Sequence, residues 1–185
     1  LVLVAMIVAF GIGNPRFFRL SSLQTLLTQV PDKAIVAVGM TFVIMTAGID
    51  LSVGSVLGLS AAAMAAVTIH PSVPQPMLAG IVACLGTGLA CGAVNGFLTV
   101  RWRLPSFIVT LGMLEMARGG AYIATDSRTL YLADKAAAKP LMTFVSGRFL
   151  GIPVSVYIAV AVIAVAHIVL TRTVFGRYVT AVGTN

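Results

Sequence analysis

The sequence predicts an all-α fold, a polytopic transmembrane helical bundle of about six spans. Three observations lead there. The 185 residues are 59% hydrophobic and only 9% charged. Soluble domains carry about 25% charged residues, so there are too few charges here to coat a water-facing surface. The apolar residues gather in runs of about 20, the length that crosses a bilayer core as a helix. No segment alternates polar and apolar residues as a transmembrane β-strand does. The runs are apolar all round instead, as suits helices that face lipid and one another.

The first run covers residues 1–13 and ends at Asn14 and Pro15. It opens as LVLVAMIVAF, without the basic start or small-residue cleavage site of a signal peptide. Residues 14–29 mix polar and apolar side chains and are expected at the membrane interface. The second span is placed at 30–49, with Pro31 in its first turn, where a missing N–H does no harm. The third is 51–69, closed by the turn-rich HPSVPQP. The fourth is 77–100, closed by RWRLP, and the fifth is 105–124, starting on a proline. Residues 125–152 form the longest polar stretch, with Asp126, Arg128, Asp134, Lys135, Lys139 and Arg148. The sixth span is 153–170, and a short polar tail with Arg172 and Arg177 follows. The expectation is one transmembrane domain over 1–185, cut short at both ends.

The net charge is +7. No basic cluster stands beside exposed aromatic residues, which argues against nucleic acid as the partner. Juxtamembrane Lys and Arg facing lipid headgroups explain the excess better. The cysteines, Cys84 and Cys91, lie seven apart in one run. A helix separates them by about 10 Å, beyond disulfide reach, so they read as small packing residues. Gly80, Cys84, Gly88, Gly92 and Gly96 line one face of the fourth span, and Gly54 and Gly58 repeat the device in the third. Such residues let helix backbones approach closely.

Polar residues within the spans are the candidate functional groups, because each is costly in hydrocarbon. Asp50 stands alone between two apolar runs too long to be one helix, so a break near Gly48 is required. Asp50 is predicted to N-cap the third span ahead of Leu51 and Ser52, at the positive end of the helix dipole. Gly48 suits the end of the second span. The alternative for Asp50 is direct contact with substrate or with coupling machinery. Glu115 and Arg118 are three apart on one face of the fifth span. They read as a mutually neutralising pair, or as groups lining an aqueous path. Asn95 cannot ionise and reads either as a helix–helix hydrogen-bonding group or as path lining. Thr110 and Ser106 are weaker path candidates, since their hydroxyls can bond back to their own helix. His167 has no titratable neighbour at helical spacing and reads as a packing residue. No catalytic constellation, phosphate loop or metal-ligand spacing is visible, so any ATPase belongs to another chain.

AVGMTFVIMTAGIDLSVGSVLGLS (residues 37–60) closely resembles the signature of permease subunits of bacterial ABC importers for monosaccharides, the ribose/xylose/galactose-type group. RLPSFIVTLGMLEMARGGAYI (103–123) and LTRTVFGRYVTAVGTN (170–185) resemble later segments of the same family, the last leading into its ATPase-coupling region. The resemblance implies a multi-pass subunit of the bacterial cytoplasmic membrane that is not itself an enzyme and binds no cofactor. ATP and Mg would be used by two partner ATPase subunits. A second permease subunit, identical or homologous, and an extracytoplasmic sugar-binding protein complete the implied complex. It also implies that Gly176, Arg177, Gly183 and Asn185 lie near the coupling surface, and that Asn95, Thr110, Glu115 and Arg118 are candidates for the translocation path. A raw count of Lys and Arg puts the side of Arg16, Arg19, Arg128, Lys135, Lys139 and Arg148 inside, but its loops are much longer and its charge density no higher, so the count does not decide. The resemblance implies the reverse, with RWRLP and 172–185 inside. Rival readings are an importer of another solute, such as an autoinducer or a branched-chain amino acid, a gradient-driven secondary transporter, and a non-transporting scaffold. A gradient-driven transporter would need an ionisable relay or broken helices around a cation site.

Overall fold

The structure, a computed structural model, describes residues 1–14, 16–132 and 135–184. It is a helical bundle, as the composition requires. Its helices are α1 (Val2–Gly13), α2 (Leu20–Met45), α3 (Val53–Ile69), α4 (Pro76–Trp102), α5 (Ser106–Thr125), α6 (Lys139–Val145), α7 (Val154–Arg172) and α8 (Val174–Gly183). Among the described residues, α2, α4, α5 and α7 are long and apolar enough to cross a membrane, while α1 and α3 are apolar but shorter. The six expected runs are therefore all helices, four of them of full spanning length.

Two boundaries differ from expectation. α2 begins at Leu20, ten residues before the expected 30, so Pro31 lies inside the helix. LSSLQTLLTQ contains no breaker, and its threonine hydroxyls bond back within the helix: Thr25 Oγ1 donates to Ser21 O at 2.9 Å and Thr28 Oγ1 to Thr25 O at 2.7 Å. Pro31 then costs the helix one N–H within an otherwise continuous pattern. The other difference is the gap between α2 and α3, which spans residues 46–52 and is wider than expected at both ends.

Prolines set the remaining starts. Pro76 occupies the first turn of α4, and Pro105 and Pro153 precede α5 and α7. Within the long polar stretch, β1 (Arg148–Phe149) pairs antiparallel with β2 (Ile152–Pro153). Leu150 and Gly151 form the turn with φ of 51° and 81°, the two positive values a two-residue hairpin of matching twist needs.

The helices pack in two groups. α3 lies against α4 and α5, and α2 lies against α7 and α8. Small residues make the first group tight. A Cβ on Gly80 would strike Thr68 Oγ1 and come within 3.2 Å of Met64 O, and one on Gly88 would sit 3.5 Å from Ser60 Oγ. Ala62, Ala65, Cys91, Val109, Met113 and Ala117 are buried at the centre. Cys84 and Cys91 are both free thiols. Large apolar side chains cover the outer faces, among them Val82, Leu85 and Leu89 on α4 and Val160 and Ile168 on α7. The α2–α3 break, the α4–α5 turn and α8 meet at one end of the bundle, through contacts from Ile49 to Ser106, from Gly183 to Met45 and from Phe175 to Phe42. Arg101, Arg103, Arg172 and Arg177 belong to that end.

Candidate functional site

The break at residues 46–52 is built by backbone geometry first. α2 ends in a Schellman motif: Ala47 N–H bonds Ile44 O at 2.9 Å and Gly48 N–H bonds Val43 O at 3.0 Å. The left-handed position, expected at Gly48, falls on Ala47, with φ of 57°. Gly48 is needed for another reason, since a Cβ there would lie 3.1 Å from Val43 O.

The N-cap expected at Asp50 is occupied by Ser52, and α3 starts at Val53. Asp50 acts two residues earlier. Its Oδ1 accepts from the Ser52 N–H at 2.7 Å and the Ser52 hydroxyl at 2.6 Å, which folds the approach to the helix into a turn. Leu51 lies outside the helix and donates its N–H to Thr110 Oγ1 on α5, at 3.1 Å. The Thr110 hydroxyl proton is shared between Ile49 O at 3.2 Å and Phe107 O at 3.3 Å, and Ser106 Oγ accepts from Ile49 N–H at 2.9 Å. From α4, Asn95 Nδ2 donates to Ser52 Oγ at 3.1 Å. That amide orientation follows from the chemistry, because the Ser52 proton is already committed to Asp50. Among the described residues, Asn95 Oδ1 is buried without a partner. Asp50, Ser52, Asn95 and Thr110 thus form one network clamping the break onto α4 and α5. A cavity of about 560 Å³ opens beside it, lined in part by Asp50, Asn95, Thr99, Ser106, Thr110 and Val182.

Glu115 and Arg118 belong to a different place. They pair at 3.3 Å, with side chains 65% and 55% exposed. Arg118 lines a second hollow of about 540 Å³ between α3 and α5, together with Gly54, Ser55, Gly58, Ala121 and Tyr122. The four path candidates are therefore split: Asn95 and Thr110 at the break, Glu115 and Arg118 on an open face.

At the corner between α7 and α8, Thr173 Oγ1 accepts from Gly176 N–H and starts α8. A Cβ on Gly176 would collide with the Leu170 backbone, and one on Gly183 with the Met45 carbonyl. These glycines let α8 fold back tightly on α7 and α2, while Arg177 is exposed. Asn185 lies outside the described residues.

A family model described as "Branched-chain amino acid transport system / permease component" matches residues 22–185. The chain belongs to this permease family. It is 37% identical over 185 residues to a ribose import permease protein of Haemophilus influenzae, covering 100% of this chain and 56% of that protein. It is 38% identical over 188 residues to a fructose import permease protein of Rhizobium meliloti, covering 99% of this chain and 52% of the relative. An L-arabinose ABC transporter permease protein of Azospirillum brasilense is 33% identical over 186 residues, covering 100% of this chain and 52% of that protein. The chain thus spans about half the length of the curated relatives it matches. No solved structure matches it significantly. Its apolar helices and its family together make the chain part of a membrane protein. In this permease, sequence reasoning passed over Ser55, Tyr122 and Val182 as lining residues. Val182 reaches the break only because α8 folds back; Ser55 and Tyr122 meet only because α3 packs on α5.

Proposed function

We propose that the chain is the membrane-spanning permease subunit of an ATP-driven importer that carries a monosaccharide across the bacterial cytoplasmic membrane. The observation that carries this reading is similarity over essentially the whole chain to relatives named for import of ribose, fructose and arabinose. ATP and Mg would be handled by two partner ATPase subunits, and an extracytoplasmic binding protein would deliver the sugar.

A sugar is neutral and rich in hydroxyls, so its path needs hydrogen-bonding groups held open, with modest affinity. The hollow between α3 and α5 suits this. Ser55, Tyr122 and the Arg118 guanidinium border it, and Gly54 and Gly58 leave it unfilled. Glu115 keeps the arginine charge balanced. Asn95 and Thr110 act from behind, holding the break to which the lining helix is attached. Gly176, Arg177, Gly183 and Asn185 are assigned to the ATPase-facing end, where α8 contacts the end of α2 and would pass movement of the ATPases to the break.

Uptake of labelled ribose by cells expressing the complete transport system, challenged with unlabelled competitors, tests the cargo class. Excess ribose, fructose or arabinose is expected to suppress uptake, and leucine is expected to leave it unchanged. Suppression by leucine and not by any monosaccharide would overturn the assignment.

A further inference from the structure

The cavity beside the break has chemistry that the clamp does not use up. Asp50 Oδ1 takes both Ser52 protons, which leaves Oδ2 as an acceptor. Ser106 Oγ accepts from Ile49 N–H and keeps its own proton to donate. Thr99 adds a hydroxyl one turn beyond Asn95 on the same face of α4. Asn95 also lines the cavity, and its Oδ1 is the buried side-chain atom left without a partner among the described residues, a costly state for an acceptor. Much of the remaining lining is apolar, with Val43, Val100 and Val182. Gly92 and Gly96 keep the space open, since a Cβ on either would meet nothing within 4 Å. At about 560 Å³ the cavity falls within the range of small-molecule sites, about 300–1,000 Å³. The ends of α2 and α8, together with α4 and α5, supply its walls from this chain.

We infer that this cavity is a second monosaccharide site, at the end of the path nearest α8. The lining selects the ligand class. A sugar carries hydroxyls that both donate and accept around its edge and C–H groups on its faces. The edge matches the free acceptors of Asp50 and Asn95 and the free proton of Ser106, and a face matches the valines. A cation would have no use for the Ser106 proton or the valines, and water would leave the valines unmatched. The cavity also continues the hollow between α3 and α5. Leu51 and Gly54 border the hollow, while Ile49 and Asp50 border the cavity. On α5, Leu114 borders the hollow and Thr110 the cavity, about 6 Å apart along the axis. A sugar leaving the hollow meets the cavity next. Val182 stands at its side, so movement of α8 would open or shut the site. The inference rests on the reading of the chain as a monosaccharide importer and adds a second place where the sugar is held.

The complete transport system, with Cys84→Ala and Cys91→Ala and a single Thr99→Cys or Val182→Cys in the permease, is placed in nanodiscs and treated with a water-soluble maleimide. Neither position belongs to the clamp. Ribose at ten times its half-protecting concentration is expected to slow labelling at both positions about tenfold, and leucine to leave it unchanged. Gly96→Leu fills the cavity from a position with free space. It is expected to abolish protection of Val182→Cys by ribose in a complex that still assembles; should it fail to assemble, Gly92→Val takes its place with the same expectation. Labelling that ribose does not slow, a Thr99→Cys variant that the reagent cannot reach, or full protection beside the filled cavity would overturn the site. Uptake is read separately. A system that imports ribose with no protection at either cysteine keeps the importer reading and loses the site. A system that imports leucine, and is protected by leucine at both positions, keeps a site in the cavity and loses the sugar.

Discussion

Asp50 works through Ser52. Its carboxylate takes both the amide and the hydroxyl proton of Ser52, which is 1% exposed and in turn accepts from Asn95. Asp50→Ala would leave the Ser52 amide without its acceptor and is expected to destabilise the protein by about 1–3 kcal/mol. Asp50→Asn keeps an oxygen for the amide and should lose markedly less. Thermal unfolding of the two purified variants in detergent separates them, and equal losses would show that charge, not the acceptor, matters at this position. At this scale the sequence was half legible. A lone acid between two apolar runs announced a break and a local hydrogen-bond role. The residues that complete the network could not be read off, because Leu51 meets Thr110 59 positions away and Ser52 meets Asn95 43 positions away. Spacing arguments reach only along one helix; packing brings these groups together.

At the scale of elements, the apolar runs located every long helix, and the boundaries moved where tertiary bonds or a tolerated proline outweighed local signals. Pro31 reads as a start but sits inside α2; Leu51 reads as helical but lies before α3, with its N–H bonded to α5. Glycines divide in the same way. Gly54 and Gly183 look alike in sequence, yet a Cβ on Gly54 meets nothing within 4 Å while one on Gly183 collides with the Met45 carbonyl. Gly183→Ala is therefore expected to cost about 1–3 kcal/mol, as overpacking does, or to lift α8 off the end of α2. Gly54→Ala should leave stability nearly unchanged. Cysteine accessibility at Val182, which faces the cavity beside the break, would register the displacement of α8. Equal behaviour of the two variants would mean that α8 does not seat on α2 as described.

On the scale of the whole molecule, residues 46–52 join one group of helices, α3 with α4 and α5, to another, α2 with α7 and α8. The polar clamp at that joint and the docking of α8 beside it give the proposed coupling a physical route. On that proposal, movement imposed on α8 would reach the end of α2, then the break, then the helix lining the proposed path. Four arginines belong to the same end of the bundle, the end assigned to the cytoplasm by the resemblance. A bare charge count pointed to the other end, because its longer loops carry more basic residues in total. The measurement that tests the central claim most directly is uptake of labelled monosaccharide into vesicles holding the complete transport system, with ATP inside and a matching binding protein outside. The account predicts accumulation that requires ATP and the binding protein and survives collapse of the proton and sodium gradients. Accumulation that follows an ion gradient and proceeds without ATP would contradict it.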